Sequence, residues 1–228
     1  SLIARKIQQL KLSQVDEIFL GSDSDLYLEI GEKNGATAIK RSDLACDESL
    51  SPANFMIEDF LKRIPQDFDL IVWAHCTNPF LYARHYDDAI NLYLDNRKKY
   101  DSLLSVYKVK NHMWDHVGEP MNYDPWTERH TLASALPPVY YQNGGIFVQP
   151  FEQMKSNKYF FGSKPIFQEH NEHQGFDINT EEDLAIAASL VDHFDGLEEF
   201  QSYTLKPAVC NVIPVLRPAH KFLKTVSL

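Results

Sequence analysis

The sequence is short of cysteine, of positive charge and of long apolar runs, and each shortage removes a class of protein. Three cysteines, Cys46, Cys76 and Cys210, lie far apart among 228 residues with no Cys-x-x-Cys pair. Such an odd, scattered set is not a disulfide framework, so reduced and buried thiols are expected. Lys and Arg total 22 against 32 Asp and Glu, a formal net charge of −10. Nucleic acids and anionic membranes are held chiefly by Lys and Arg, so the charge argues against both as partners. It leaves room for a phosphorylated small substrate held by a local basic patch or a metal. No run approaches the roughly 20 apolar residues that span a bilayer. Ser1-Leu2-Ile3-Ala4-Arg5-Lys6 lacks the apolar region of a signal peptide, and the expected compartment is the cytoplasm. Internal repeats and low-complexity segments are also missing.

What is present is ordinary globular composition, with 44% hydrophobic, 12% aromatic and 24% charged residues. The length suits one α/β domain with a small appendage better than two full domains. Leu2, Ile3, Ile7 and Leu10 recur at helical spacing, and Glu17-Ile18-Phe19-Leu20-Gly21 is a short apolar strand stopped by glycine. A helix capped at Asp23 or Ser24 runs to about Lys33, Asn34-Gly35 ends it, and Ala38-Ile39 is a brief strand. Ser51-Pro52 reads as N-cap and first helical residue of a helix to Arg63. Asp69-Leu70-Ile71-Val72-Trp73-Ala74 is a continuous apolar run of the kind buried on both faces. A helix over 83–96 and a strand over 102–109 continue the alternation, which predicts parallel strands joined by right-handed crossovers. From Asn111 to Leu136 the periodicity is lost, and this stretch is expected to be a lid, an oligomerisation arm or a packed surface loop. Gly144 to Val148 returns to strand, and Thr180 caps a helix whose Leu184, Ala187, Ala188 and Val191 form the apolar face.

Open parallel sheets bind ligands at the carboxyl ends of their strands, which directs attention to four loops. These are Gly21-Ser22-Asp23-Ser24-Asp25, His75-Cys76-Thr77-Asn78-Pro79, Asn143-Gly144-Gly145 and Asp177-Ile178-Asn179-Thr180. Asp177 and Asn179, two apart, would point the same way from extended chain and offer oxygen ligands to Mg²⁺. A capped turn before the helix explains the same residues.

Taken in order, these loops resemble the cytidylyltransferases that activate acidic sugars, the acylneuraminate and ketodeoxyoctonate group. Phe19-Leu20-Gly21-Ser22-Asp23 is similar to the family's strand ending in Ser-Thr-Asp, and Arg41-Ser42-Asp43-Leu44-Ala45-Cys46-Asp47 to its Arg-Pro-x-x-Leu-Ala-x-Asp. His75-Cys76-Thr77-Asn78-Pro79 stands where Gln-Pro-Thr-Ser-Pro is usual, and Asn143-Gly144-Gly145-Ile146-Phe147 resembles Asn-Gly-Ala-Ile-Tyr. Phe160-Phe161 has the spacing of the aromatic pair that lines the sugar pocket. Asp177-Ile178-Asn179-Thr180-Glu181-Glu182-Asp183-Leu184 is close to Asp-Ile-Asp-Thr-Glu-Glu-Asp-Leu, the most specific match.

The resemblance implies a single nucleotidyltransferase-like domain over 1–228. Its fold would be α/β, a Rossmann-like mostly parallel sheet with helices on both faces of the nucleotide-diphospho-sugar transferase type, with 111–136 as lid or dimerisation arm. It implies CTP and an acidic sugar as partners, Mg²⁺ as cofactor, and a homodimer in sialic acid or lipopolysaccharide biosynthesis. Ser22, Asp23, Arg41, Ser51 and Lys224 would face the nucleotide; His75, Asn143, Phe147, Phe160 and Phe161 the sugar; Asp177 and Asn179 the metal.

Three departures stand out. Asn179 replaces the second acid of the metal motif, and His75 replaces a glutamine. The family's opening strand and phosphate loop, Ile-Pro-Ala-Arg-Gly-Gly-Ser-Lys, are not found at the start of these 228 residues. A central strand is indispensable, because its neighbours would keep unpaired buried backbone groups. Ala208 to Val215 is an apolar run followed by Arg217 and Lys221 at the family's Arg-x-x-x-Lys interval. Residues 206–228 are therefore expected to return, in a circularly permuted order, as the central strand and phosphate-facing loop, with Arg217 and Lys221 as catalytic cations; an unrelated edge strand in a truncated relative is the alternative. The loop has no glycine, which leaves a nucleotide-binding relative without turnover as the second reading. A glycosyltransferase using Asp23-Ser24-Asp25 for its metal is the third. The pairs His112 with His116 and His170 with His173 have metal-like spacing but no helix around them, and surface histidines are expected.

Overall fold

The computed structural model describes residues 1–46, 52–65, 68–204 and 222–227. The chain runs through α1 (Leu2–Lys11), β1 (Glu17–Ser22), α2 (Asp25–Lys33), β2 (Thr37–Lys40), α3 (Asp43–Cys46), α4 (Ala53–Lys62) and β3 (Leu70–His75). It continues with α5 (Ala83–Asn96), β4 (Ser102–Val109), β5 (Val139–Pro150), α6 (Phe151–Asn157), β6 (Pro165–His170), α7 (Glu181–Thr204) and β7 (Phe222–Ser227). The seven described strands form one sheet in the order β2-β1-β7-β3-β5-β4-β6. Only β5 runs against the rest, antiparallel to both β3 and β4.

Two cores explain why the central strands read as unbroken apolar runs. Leu70, Val72 and Ala74 face α1 and α5, packing with Ile3, Ile7, Tyr86 and Ile90. Ile71 and Trp73 face the opposite way, toward Ile57, Phe60 and Met154 of α4 and α6. A strand alternates its side chains between faces, so a strand covered on both sides must be apolar at every position. Helices therefore lie on both faces of the sheet, as expected.

β7 fills the slot between β1 and β3, parallel to both, with Thr225 in register with Phe19 and Trp73. The apolar run Ala208 to Val215, read as the returning strand, lies outside the described residues. Proline lacks the N–H that a strand paired on both sides donates; Pro214 interrupts that run, whereas Phe222–Ser227 has no proline. Lys224 is consequently corrected from a phosphate-loop residue to a mid-strand position opposite Ile18 and Val72.

Other differences are local. α6 and β6 carry no strong periodicity because each is short, α6 following Pro150 and β6 starting at Pro165. Pro52, rather than Ser51, occupies the N-cap of α4, and Ser51 lies outside the described residues. In α7 the covered stripe is Ala187, Val191 and Phe194, while Leu184 is 47% exposed. The helix is anchored by ion pairs instead: Asp195 with Arg5 and Glu198 with Arg84. Residues 111–136 hold a single bridge, Trp114 to Pro120, and a 3-10 turn at Ala133–Ala135. Asn122 ties the base of this arm, accepting from Met113 N at 2.9 Å and donating to Asn111 O at 2.8 Å.

Candidate active site

At the carboxyl edge of the sheet β1, β7 and β3 end level, since Gly21, Ser227 and His75 share one register. The His75–Pro79 loop that follows β3 is the hub. Asn78, fully buried, donates from Nδ2 to Asn143 O on β5 at 3.0 Å and to Phe176 O at 3.2 Å. Ile178 N donates to Thr77 O at 2.9 Å, which brings the Asp177 segment alongside. Three loops that are distant in sequence are thus fastened through one carboxamide. Asn78 belonged to a quoted motif but not to the expected site, because its pattern of partners is tertiary and leaves no spacing signal.

Helix α1 holds the same loop from below. Lys6 donates to Asn78 O at 2.8 Å and to Tyr86 Oη at 2.6 Å. Arg5 Nε and Gln9 Nε2 both donate to Pro79 O, at 2.9 and 2.8 Å. Burial pushes the Lys6 amine down to about 7, with the nearby Cys76 favouring its charged form and Arg5 opposing it. The same burial pushes the Cys76 thiol up to about 12, so this cysteine is an inert core residue.

At the end of β1, Ser22 is buried and its hydroxyl accepts from Ser24 N at 3.1 Å, shaping an exposed turn at Asp23. Arg41 is 5% exposed, its backbone N donates to Ser22 O at 2.9 Å, and its side chain reaches Ala45 O. Its Nε has no hydrogen-bond partner among the described residues. A buried, permanently charged donor left unsatisfied is expensive, and an anion is the species that would satisfy it. Asp25 pairs with Lys40 at 2.6 Å, and the Asp23 carbonyl accepts from the same amine. The Asp-x-Asp pair is thereby partly neutralised, which weakens the glycosyltransferase reading.

At the end of β3, Trp73 Nε1 donates to His75 Nε2 at 3.1 Å. An accepting Nε2 leaves the ring proton on Nδ1. That nitrogen lies 3.4 Å from where a Cβ on Gly144 would stand, and Gly144 has φ +71°. His75 and Phe160 meet edge to face at 5.8 Å, and Phe147 stacks on Phe160 at 5.1 Å and on Phe161 at 6.0 Å. Phe147 is 1% exposed and works as the floor of this aromatic cluster. Asn143 is also buried: its Oδ1 accepts from Ser105 Oγ and Gly145 N, and its Nδ2 faces His170 Nδ1 at 3.4 Å. Expected to face the sugar, it is instead engaged within the chain at the irregularity where β4 and β5 lose register.

Asp183 accepts from Asn179 N, Thr180 N and Thr180 Oγ1, the cap of α7, and these bonds hold its carboxyl below the usual range. The capped turn and the candidate metal pair therefore coexist. Asn179 Nδ2 donates to Asp177 Oδ2 at 3.1 Å, while the buried Asp177 Oδ1 has no partner among the described residues. An unsatisfied carboxylate oxygen is a fitting ligand for Mg²⁺, which usually takes one or two carboxylates and completes its shell with waters and substrate phosphates. The described residues contain no cluster of three His, Cys, Asp or Glu able to hold a metal.

Arg217, Lys221 and Ser51 lie outside the described residues. His112 Nε2 is 2.8 Å from Thr131 O, and His173 stacks on Phe194 at 4.6 Å. His170 is buried and, with burial as the main cause, pushed down to about 4. His112, His170 and His173 are each engaged with a group other than their sequence partner. No described helix is long and apolar enough to cross a membrane.

A mostly parallel sheet, helices on both faces and polar loops gathered at the carboxyl edge define the Rossmann-like α/β class. Within that class the chain belongs to the cytidylyltransferase family, whose sequence profile matches residues 1–205. It is 28% identical over 179 residues to the N-acylneuraminate cytidylyltransferase of Streptococcus agalactiae, an alignment covering 74% of this chain and 41% of that protein. The chain thus spans about two fifths of the length of the curated relatives it matches. In fold it is similar to a 4-diphosphocytidyl-2C-methyl-D-erythritol synthase from Anaerococcus prevotii, with a TM-score of 0.60 at 14% identity over 84% of this chain and 86% of that one. A CMP:2-keto-3-deoxy-manno-octonic acid synthetase in complex with CTP aligns with a TM-score of 0.57 at 11% identity, over 84% and 88% of the two chains.

Proposed function

We propose that this chain transfers a cytidine monophosphoryl group from CTP to an acidic sugar of the nonulosonate or ketodeoxyoctonate type, releasing pyrophosphate. The observation that supports it best is the joining of the β3, β5 and Asp177 loops through Asn78, in a chain whose family profile spans nearly all of its described fold. The sugar's anomeric hydroxyl attacks the α-phosphorus and pyrophosphate departs, a reaction governed by positioning and charge neutralisation. Arg41 and the Ser22-Asp23 turn face the nucleotide. His75 faces the sugar beside the apolar wall of Phe160 and Phe161. Asp177 and Asn179 would hold Mg²⁺, which supplies charge neutralisation on phosphate oxygens when bound. Arg217 and Lys221 are assigned to the triphosphate from their sequence interval. The exposed Trp114, Met121 and Trp126 of the arm support a homodimer through 111–136, and the protein is assigned to the cytoplasm.

The test is pyrophosphate release from CTP with Mg²⁺ and a panel of neuraminate-like and ketodeoxyoctonate-like acids. Turnover with one class and not the other identifies the sugar. CTP binding by calorimetry without release for any acid would replace this reading with a binding protein.

A further inference from the structure

Lys6 is 1% exposed, and no carboxylate partners it among the described residues. The groups around it are Arg5 on its own helix, Cys76 after β3, and Tyr86 and His85 on α5. An amine sealed there without a counter-ion is costly, and an apolar side chain of the same length would pack among Ile3, Ile7 and Leu10 at lower cost. Its bonds to Tyr86 Oη and to the Asn78 carbonyl are what the amine achieves. Asn78 in turn reaches β5 and the segment before Asp177.

We propose that Lys6 is a positioning residue for the candidate site: by fixing the Asn78 main chain it aligns the loops that carry His75, Gly144 and Asp177. This rests on the CMP-transfer reading only for its kinetic consequence. Lys6 touches none of the residues assigned to substrate; it acts through Asn78. Helix α1 therefore does more than cover the sheet, because its buried face carries an amine that reaches the hub.

The test compares wild type, Lys6→Met and Lys6→Gln in the full chain. Amide exchange at Ile178, whose N–H is bonded to Thr77 O, and the indole resonance of Trp73, which donates to His75, report the loops without any turnover. Lys6→Met is expected to fold with an unfolding midpoint at least equal to wild type at pH 7, yet to exchange Ile178 about tenfold faster and to shift the Trp73 indole signal. kcat for pyrophosphate release is expected to fall by about 10- to 100-fold with KM for CTP within about threefold, the signature of misalignment rather than lost binding. Lys6→Gln, which keeps an N–H donor without the charge, is expected to lie between the two. Unchanged exchange, indole signal and kcat in Lys6→Met would overturn the proposal, as would failure of both variants to fold, which would make Lys6 a requirement of the core. If wild type releases no pyrophosphate while Lys6→Met still loosens Ile178, the CMP-transfer reading falls and the positioning role stands.

Discussion

Truncating Asn78 to alanine removes the one side chain that ties three loops. Its Nδ2 serves two carbonyls, Asn143 O at 3.0 Å and Phe176 O at 3.2 Å. Each buried carbonyl left without a donor costs about 1–3 kcal/mol. Against this, Asn78 Oδ1 is itself buried without a partner, so removing it relieves a penalty of the same size. The small void adds to the loss, since Asn78 is 0% exposed. The balance is a destabilisation of about 2–4 kcal/mol, or a fall in Tm of roughly 4–16 °C for a domain of this size. Urea titration followed by tryptophan fluorescence measures it. Asn78→Asp separates hydrogen bonding from volume: it keeps the shape but turns oxygens toward both carbonyls, so its loss should equal or exceed that of alanine at neutral pH. A change below about 0.5 kcal/mol in either variant, within the range of ordinary surface substitutions, would refute the hub.

Three further perturbations probe other parts of the edge. A Cβ on Gly21 would stand 2.4 Å from Phe60 Cε2 and 2.9 Å from Arg41 Cδ, and Phe60 cannot retreat because it packs edge-on against Trp73 at 5.7 Å. Gly21→Ala should therefore cost about 1–3 kcal/mol by urea unfolding and weaken CTP binding through Arg41. Burial pushes the Lys6 amine down to about 7 in the fold, against an ordinary 10.5. Between those values the unfolded chain binds the extra proton, so this group makes stability rise with pH, by up to about 1.4 kcal/mol per unit. Cys76 opposes it above about pH 9, so the slope is read between pH 7 and 9, where Lys6→Met should flatten it. Asp177→Ala should raise the Mg²⁺ concentration needed for half-maximal pyrophosphate release by more than about tenfold while leaving the α7 cap intact, since Asp183 and Thr180 make that cap. An unchanged Mg²⁺ requirement would remove Asp177 from the site.

The strands covered on both faces were readable because composition alone marks them: Leu70 to Ala74 admits no polar residue. The loops after β1 and β3 were readable for the same reason, as each apolar run stops at a polar turn. Asn143 and Lys6 show what was not. A polar residue beside a glycine pair looks alike whether it faces a ligand or braces a bulge, and only the positions of Ser105 and His170 decide it. Lys6 sits in a helix whose spacing predicts the buried face, yet a lysine on that face reads as a surface residue until Tyr86 and Asn78 are in place around it. Lys224 went astray because apolar content was weighed above the backbone donors that a two-sided strand needs.

The place of β7 bears on how the chain assembles. Phe19 and Trp73 lie beside Thr225, so the middle of the sheet is closed by hydrogen bonds between residues that emerge from the ribosome far apart in time. Until that ribbon is captured, β1 and β3 each present an unsatisfied row of amides and carbonyls to whatever extended peptide is nearby. Closing so large a loop is slow, and the unclosed intermediate is the species most exposed to mispairing during synthesis.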